Sequence, residues 1–400
     1  TMETLLQAGV NNADLLIAMT GADELNLLCS MTAHGINPNI HTIARICNPD
    51  YTDQVYKMQK TFALSLTVNP EKQAAIEIER LLKFPGFLKR DSFAKGRVEI
   101  VELRVDERSR LCNVALSELN RVIKCRVLIC AVLRRGDVVA PDGSFVLREG
   151  DRIFVTASTE ILATLLDNLG IITKKVNHVM ICGGGRVSYY LAQQLEKDGM
   201  TVRLIEKDPK HCEELAALLP KTEIINDDAS NTFVLKRENL ESCDALVTAT
   251  GMDELNMIIS LYGTKHGVSQ VITKLGHMEN GSMIDQLPIG STIWPKDLCC
   301  NGIVRYIRAM HNQTGAAVSV HSIADGKAEA IEFHVEEKKP YCDKPLKNMK
   351  VKQNILVACI THGGVTELPG GDSVIREGDT VVVVTTRNDI IYKLDDIFEA

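Results

Sequence analysis

Residues 178–188 read His-Val-Met-Ile-Cys-Gly-Gly-Gly-Arg-Val-Ser, an apolar run that enters a cluster of three glycines. A helix-like segment follows at 189–197, and a second apolar run at 201–205 ends in Glu206. Strand, glycine turn, helix, strand and acid, in this order, are typical of a βαβ unit that binds a dinucleotide. The stretch therefore predicts a nucleotide site, although a tight βα turn without a ligand would show the same local pattern.

The residue types in this pattern suit the contacts that a nucleotide needs. Gly183 lets the chain turn sharply out of the strand, and Gly185 lets the backbone approach a pyrophosphate at the helix N-terminus. Glu206 lies where a carboxylate accepts hydrogen bonds from a ribose, which disfavours a 2′-phosphate, although the adjacent Lys207 weakens that argument. Ser188 replaces the third glycine of the G-x-G-x-x-G pattern, so close packing of helix and strand is expected to be imperfect.

The composition indicates large packed cores and excludes several classes of partner. The chain has 400 residues, 45% of them hydrophobic, a net charge of −7 and one tryptophan. Without a basic block or many aromatic residues, neither nucleic acid nor an anionic membrane surface is an expected direct partner. No apolar run approaches the ~18 residues of a membrane span, so direct membrane insertion is not expected.

The cysteines indicate a reducing compartment. Twelve are scattered without a C-x-x-C motif, and Cys130, Cys182 and Cys359 fall in apolar runs where a buried thiol is expected. No cysteine and histidine cluster has metal-ligand spacing, so no metal site is predicted.

An internal repeat organises the whole chain. Residues 14–26 recur at 244–256, and residues 96–103 recur at 326–333, both at an offset of 230. The Arg-Glu-Gly-Asp sequence at 148–151 recurs at 376–379. Matches that keep one order and nearly one spacing over such a length indicate a tandem duplication.

Each copy is predicted to have two parts. The first part alternates helical and apolar β segments, as a doubly wound parallel sheet does, and the second is a small α+β lobe. The predicted domains are 1–90 and 91–172 in copy one, and 173–311 and 312–400 in copy two. A proline-opened amphipathic helix ends each sheet, at 70–84 and 295–310. Each helix either caps its own sheet or packs between copies or in a dimer, and both interpretations remain open.

The two copies are unequal, because Thr1 aligns with Asn231 of copy two, beyond its glycine loop and Glu206. The repeat leads us to expect about 50 to 60 preceding residues in the natural chain. One complete nucleotide site is expected, in copy two, since copy one keeps only Thr20, Gly21 and Arg45 of it.

The motifs together resemble a known family. The glycine loop, Glu206, the Asn-Asp-Asp of 226–228 and the Ala-Thr-Gly-x-Asp-Glu-x-Asn of 249–256 are similar to RCK domains, also called KTN or TrkA-N domains, which regulate potassium conductance. The doubled order, with a TrkA-C-like lobe after each sheet, resembles the TrkA family of regulatory subunits of Trk potassium uptake systems. The resemblance implies tandem Rossmann-like sheets, each with an α+β lobe, and a non-catalytic nucleotide sensor.

The resemblance also implies a ligand, a site and partners. Such proteins bind NAD in oxidised or reduced form, and often ATP or ADP. They assemble as homo-oligomeric rings, here of two or four chains, at the cytoplasmic face of the membrane beneath a potassium channel or transporter subunit of the TrkH or TrkG type. The implied cofactor-binding residues are Gly183, Gly185, Arg186 and Val187 at the phosphates, Glu206 and Lys207 at the ribose, Asp227 or Asp228 near the adenine, Thr250 and Gly251 on the opposite wall, and Lys274 as a second positive group.

Two other functions fit parts of the pattern. A potassium efflux or antiport system uses similar domains, but usually singly and fused to membrane spans. A nicotinamide-dependent oxidoreductase would need a substrate pocket and a positioned acid or base, and the sequence indicates neither. Asp253, Glu254 and Asn256 either contact the ligand or only cap and charge a helix, and the sequence leaves this open.

Overall fold

The computed structural model describes residues 1–83, 86–107, 109–169, 175–276, 284, 287–310, 317–324, 326–386 and 391–399. Within these ranges the chain forms two parallel sheets and two antiparallel sheets, in the order parallel, antiparallel, parallel, antiparallel. The predicted fold class, tandem Rossmann-like sheets that are each followed by a small α+β lobe, is confirmed.

Copy one begins with a three-stranded parallel sheet in the order β1-β2-β3. Its elements are α1 (Met2–Gln7), β1 (Leu15–Ala18), α2 (Asp23–Ile36), β2 (His41–Arg45), α3 (Pro49–Lys57), β3 (Leu66–Val68) and α4 (Pro70–Lys83). Residue 84, included in the predicted helix, lies outside the described residues.

The first lobe is an antiparallel sheet in the order β4-β5-β8-β6-β7. Its elements are β4 (Lys89–Phe93), β5 (Val98–Arg104), α5 (Leu119–Val122), β6 (Leu128–Arg134), β7 (Asp137–Val139), β8 (Arg152–Ser158) and α6 (Thr159–Leu169). The repeated Arg-Glu-Gly-Asp sequence forms the turn before β8, where the Asp151 carboxylate accepts the Arg148 backbone N–H at 2.8 Å and pairs with Arg134 at 2.7 Å.

Copy two contains a six-stranded parallel sheet in the order β11-β10-β9-β12-β13-β14. Its elements are β9 (His178–Cys182), α7 (Arg186–Lys197), β10 (Thr201–Glu206), α8 (Pro209–Leu218), β11 (Glu223–Asn226), α9 (Thr232–Arg237), β12 (Ala245–Thr248), α10 (Asp253–Lys265), β13 (Gln270–Lys274), β14 (Ser291–Ile293) and α11 (Pro295–Met310). The strand order reverses between β9 and β12, which is where doubly wound sheets open a crevice for ligands.

The second lobe repeats the first in the order β15-β16-β19-β17-β18. Its strands are β15 (Ala317–Ile323), β16 (Ala328–His334), β17 (Ile355–His362), β18 (Val365–Glu367) and β19 (Thr380–Thr385). The two lobes share one core, in which Phe93 and Phe154 of the first pack with Ile323 and Val382 of the second. Buried apolar faces of this kind are the main stabilising term in a lobe-to-lobe contact.

The helices that follow the two parallel sheets are exchanged between the copies, so that each packs on the sheet of the other copy. The apolar face of α4, with Ile78 and Leu82, packs into the core of the copy-two sheet, while Cys299 and Ile303 of α11 pack on copy one's sheet. Each helix thus covers the sheet of the other copy, which supports the interpretation that it packs between copies rather than on its own sheet. The cysteines predicted to be buried, Cys130, Cys182 and Cys359, are buried free thiols.

Candidate functional site

The glycine turn lies where the copy-two strand order reverses. Its first residue, Gly183, has a φ of +98°, a conformation that side chains rarely adopt. A Cβ atom here would lie 2.8 Å from the Cα atom of Thr250 on the neighbouring strand end. The turn therefore needs glycine at this position for backbone reasons alone, and the Gly183 N–H also donates to Ile205 O at 2.9 Å.

Gly185 differs, because the protein itself does not require a glycine there. It precedes α7 as the N-cap residue, with ordinary backbone angles of −64° and 178°, and a Cβ atom would meet nothing within 4 Å. No side chain caps the helix, and its first turn carries no acid. Uncapped backbone N–H groups at a helix N-terminus favour an anion such as a phosphate.

The next helix residues contribute in different ways. Arg186 is exposed at the start of α7, whereas the side chain of Val187 is buried in the core and leaves only its backbone toward the cleft. Ser188 is fully buried, and its Oγ atom meets no hydrogen-bond partner among the described residues. Serine at the third glycine position thus fits the packing but leaves a buried hydroxyl without a partner, which is unfavourable.

Glu206 ties the glycine turn to the end of β10. Its Oε2 accepts the backbone N–H of Gly184 at 2.7 Å, and its Oε1 accepts the N–H of Asp208 at 2.9 Å. The carboxylate is half-buried at the strand end, with exposed Lys207 beside it. An ionised acceptor held by two backbone donors is well fixed in position.

The opposite wall is held by a buried asparagine. The side chain of Asn256 accepts both the N–H and the hydroxyl of Thr250, at 2.9 and 2.7 Å, and donates to Lys274 O at 3.0 Å. Asp253 accepts the Gly276 N–H at 2.8 Å. These two residues of the repeated motif therefore fasten the ends of β12 and β13, and exposed Gly251 forms the turn between β12 and α10.

Lys274 also faces inward. Its Nζ atom donates to Thr250 O at 2.8 Å, and burial lowers the pKa of its ammonium group, while Asp253 and Glu71 oppose that shift. Glu71 belongs to α4 of copy one. The ammonium group of Lys274, beside the cleft, thus interacts electrostatically with a carboxylate of the other copy.

The acids after β11 form a turn near the outer end of the cleft. Asp227 pairs with Arg237 at 2.8 Å, and this hydrogen bond holds the pKa of its carboxyl below the usual range. The Asp228 carboxylate accepts the Ser230 N–H at 2.8 Å. Both acids thus have structural partners in this turn.

Copy one repeats the contacts of the opposite wall. Asn26 holds Thr20 and the Arg45 carbonyl as its counterpart does in copy two. The Arg45 guanidinium, unlike Lys274, forms an ion pair with Glu71 at 2.9 Å.

Two residues near the turn carry no signal in the sequence. The His211 ring lies with Nε2 2.9 Å from Gly184 O and Nδ1 3.0 Å from Glu214, whose hydrogen bond raises the pKa of the ring. The Tyr190 hydroxyl, on α7, donates to Cys47 O of copy one at 3.1 Å. The contacts of His211 with Gly184 and of Tyr190 with Cys47 join positions far apart in the chain, and no spacing rule could predict them.

The strand order, the glycine turn and the uncapped helix define the class of the copy-two sheet, a Rossmann-like domain, and each of the two parallel sheets is followed by a lobe of the same strand order. The TrkA-N domain model matches residues 1–66 and 179–295, and the TrkA-C domain model matches residues 100–170 and 330–398. The chain belongs to the family built from these paired domains.

Relatives with known names agree with this assignment. The Trk system potassium uptake protein TrkA homolog 1 of Methanosarcina mazei is 29% identical over 389 residues, covering 95% of this chain and 85% of that protein. The Trk system potassium uptake protein TrkA of Haemophilus influenzae is 27% identical over 405 residues, covering 99% and 87%.

Solved structures share the fold. The GsuK RCK domain superposes with a TM-score of 0.59 at 14% identity, covering 96% of this chain and 80% of that one. The GsuK channel bound to NAD gives 0.57 at 14% identity, covering 96% and 67%. Among the described residues, no helix combines the length and apolar character needed to cross a bilayer.

Proposed function

We propose that this chain is a nucleotide-sensing regulatory subunit of a Trk-type potassium uptake system. It binds NAD(H) in the copy-two cleft, and the bound nucleotide changes the shape that the subunit presents to a membrane potassium subunit. The proposal is supported by the named relatives, which match nearly the whole chain as Trk system potassium uptake proteins.

One observation carries the ligand assignment. At the switch point of the sheet, the N-terminus of α7 is free of side-chain caps, and open space surrounds Gly185. Glu206 lies at the carboxyl end of the adjacent strand. This arrangement offers backbone donors to a pyrophosphate and a carboxylate to a ribose diol, which are the two groups that a dinucleotide presents.

The site residues proposed for NAD(H) divide by location. Gly183, Gly185, Arg186 and the backbone of Val187 serve the phosphates, Glu206 and Lys207 the ribose, and Asp227 and Asp228 the adenine end, with Thr250, Gly251 and Lys274 opposite. A neighbouring structure of the same fold is a channel bound to NAD. ATP and ADP contain the same adenosine diphosphate unit, so they are proposed as competing ligands.

A series of contacts connects the copy-two cleft to copy one. A ribose that bonds Glu206 competes with the Gly184 and Asp208 N–H groups, which the carboxylate accepts at 2.7 and 2.9 Å. A shift of the turn moves α7, which packs against α4, and whose Tyr190 hydroxyl reaches Cys47 O. A ligand biases this coupling only by binding one arrangement more tightly than the other.

The proposed role is regulatory, with no chemistry on the nucleotide. A dehydrogenase would need an acid or base beside the nicotinamide, and the polar groups on the Thr250 wall are already engaged in holding strand ends. Incubation with NADH and a panel of small carbonyl compounds tests this. Steady loss of NADH absorbance, dependent on the protein, would favour an oxidoreductase instead.

The proposed assembly is a homo-oligomeric ring of two or four chains at the cytoplasmic face of the membrane, attached through its partner. Co-purification with a TrkH- or TrkG-like potassium subunit tests it. Recovery with an efflux or antiport protein would favour the alternative system, and recovery without any membrane partner would contradict both.

Calorimetric titration with NADH, NAD, ATP and ADP tests the ligand. Saturable binding of at least one of them, with a stoichiometry of one per chain, is the expected result. No binding of any of the four would remove the nucleotide from the proposal.

A further inference from the structure

A second cavity lies away from the nucleotide cleft, where all four parts of the chain meet. Its volume is about 330 Å³, and its walls come from α4, from β4 and β5 of the first lobe, from β14 and α11 of copy two, and from β15 of the second lobe. Trp294, Ile289 and Leu298 form an apolar side. A volume of this order, with an apolar wall and a few polar groups, is typical of a small-molecule site.

Three carboxylates line this cavity. Glu102 pairs with Arg152, Asp297 is half-exposed, and Glu77 keeps one buried oxygen without a partner among the described residues. Glu77 is 9% exposed, and its Oε1 atom meets no hydrogen-bond donor among the described residues. The nearest cation is Arg80, 3.6 Å from Oε2. Burial, aided by Asp91, raises the pKa of Glu77 to about 7. Burial also raises the pKa of Asp297, against Lys89 and Lys296.

The basic groups on the wall already have partners. Arg152 pairs with Glu102, and Lys89 donates to Ser322 O at 2.8 Å. Arg104, the remaining cation of the wall, has an interaction of its own. The cavity therefore offers an unused acceptor at Glu77 Oε1, and the half-exposed Asp297 carboxylate also lines it. A buried acceptor without a donor, such as Glu77 Oε1, is unfavourable by about 1–3 kcal/mol.

We propose that this cavity binds a small organic cation, a primary alkylammonium, with its nitrogen between Glu77 and Asp297 and its alkyl chain against Trp294, Ile289 and Leu298. An ammonium supplies three donors to the two carboxylates, and an alkyl chain matches the apolar side. A bare metal ion fits less well. Among the described residues no group of three metal-ligating side chains occurs, and the cavity is far larger than an ion.

The internal repeat supplies an independent comparison. Counting from the proline that opens each exchanged helix, Lys72 of α4 corresponds to Asp297 of α11, and Gly302 of α11 corresponds to Glu77 of α4. The acid pair therefore occurs on one side of the duplicated structure only. A purely structural role in the exchanged helices would be expected on both sides, whereas a ligand site needs only one.

The experiment uses the chain's single tryptophan, Trp294, which lines the cavity. The intact protein is titrated with n-butylammonium chloride while tryptophan fluorescence is followed, with sodium chloride at matched ionic strength as the blank. A saturable change is expected at pH 8. At pH 6 the apparent Kd should be about tenfold weaker, because Glu77 is largely protonated while the amine stays charged.

Three substitutions and one neutral probe sharpen the test. Glu77→Gln and Asp297→Asn should each weaken butylammonium binding by about tenfold or more. The uncharged 1-butanol should bind the parent no more tightly than butylammonium binds Glu77→Gln. Glu79→Gln is the matched control: Glu79 is similarly buried on α4 but pairs with Lys83 and lies outside the cavity wall, so this variant should bind as the parent does.

A response that does not saturate, or equal affinity for butylammonium and butanol, would overturn the proposal. So would unchanged binding in Asp297→Asn, which changes a half-exposed residue and therefore tests the site even where Glu77→Gln does not fold.

Discussion

The Oε2 atom of Glu206 lies 2.7 Å from the backbone nitrogen of Gly184, so the acid that ends one strand holds the glycine turn that ends its neighbour. The same carboxylate accepts the Asp208 N–H at 2.9 Å through Oε1. In the proposed complex this carboxylate also serves the ribose. The turn and the ribose site therefore share one group, which makes ligand occupancy able to alter the turn.

Glu206→Gln should weaken nucleotide binding more than it weakens the fold. An amide oxygen can still accept from Gly184, but the charge is lost, and charge-assisted hydrogen bonds are roughly twice as strong as neutral ones. A loss of about 1–2 kcal/mol in NADH affinity is expected, measured by calorimetry. Glu214→Gln, which removes only an exposed partner of His211, is the control and should leave affinity unchanged. Equal losses in both variants would contradict the assignment.

Alanine at two glycines of the turn should separate folding from binding. Gly183→Ala places a Cβ atom 2.8 Å from the Thr250 backbone at a φ of +98°, and should lower the free energy of unfolding by about 1–3 kcal/mol. Gly185→Ala meets nothing within 4 Å and should change stability little. Chemical denaturation measures both. Similar stabilities for the two variants would show that the turn is not built as described.

Asn256→Ala should destabilise copy two strongly. The residue is fully buried and bonds Thr250 and the Lys274 carbonyl, which would be left without partners. A loss of about 2–4 kcal/mol is expected from thermal or chemical unfolding. Asn26→Ala removes the corresponding contacts in copy one and should show a comparable effect there. A loss below about 0.5 kcal/mol in both, the range of ordinary surface changes, would contradict the structural role.

Glu77 should make stability depend on pH below neutrality. Burial raises the pKa of Glu77 from 4.5 to about 7, so the folded chain holds a proton that the unfolded chain has released. The contribution of this group to stability therefore increases as pH falls from about 7 toward 4.5, and is lost as pH rises through 7. Glu77→Gln should remove this dependence and stabilise the chain at pH 8, by up to about 3 kcal/mol.

The measurement for Glu77 is the free energy of unfolding at pH 5.5 and pH 8, for the parent and for Glu77→Gln. Glu79→Gln, on the same helix, should keep the parent's pH profile. If Glu77→Gln and the parent respond equally to pH, the carboxyl of Glu77 titrates normally and the buried environment described for it is wrong.

Much of the fold could be predicted because the signals are local or repeated. The helix at 295–310 is found at Pro295–Met310, and the strand at 178–182 at His178–Cys182. The sequence does not predict the edge strand β4, since Lys89–Phe93 has four charged or polar residues in sequence and no alternation. The partner of each exchanged helix could not be predicted either, because an amphipathic face indicates burial but not the sheet that buries it.

The site shows the same division. The spacing of the motif predicts where the glycines lie, and Gly183 makes the sharp turn out of the strand that the sequence predicts for it. The sequence does not determine the role of Asn256, because its four hydrogen bonds join two strand ends that only the folded sheet brings together. The engagement of Glu206 with Gly184 was likewise invisible in a linear motif, since it depends on the register of β9 and β10.

The most direct test of the nucleotide site is calorimetric titration of Gly185→Asp with NADH, beside the parent and Gly185→Ala. Because Gly185 has ordinary backbone angles and open space around it, aspartate should fold normally and place a negative charge where the phosphates are expected. We expect binding in the parent, weaker binding in Gly185→Ala, and at least a hundredfold loss in Gly185→Asp with unchanged unfolding. Undiminished NADH binding in a folded Gly185→Asp protein would place the ligand elsewhere and contradict the account.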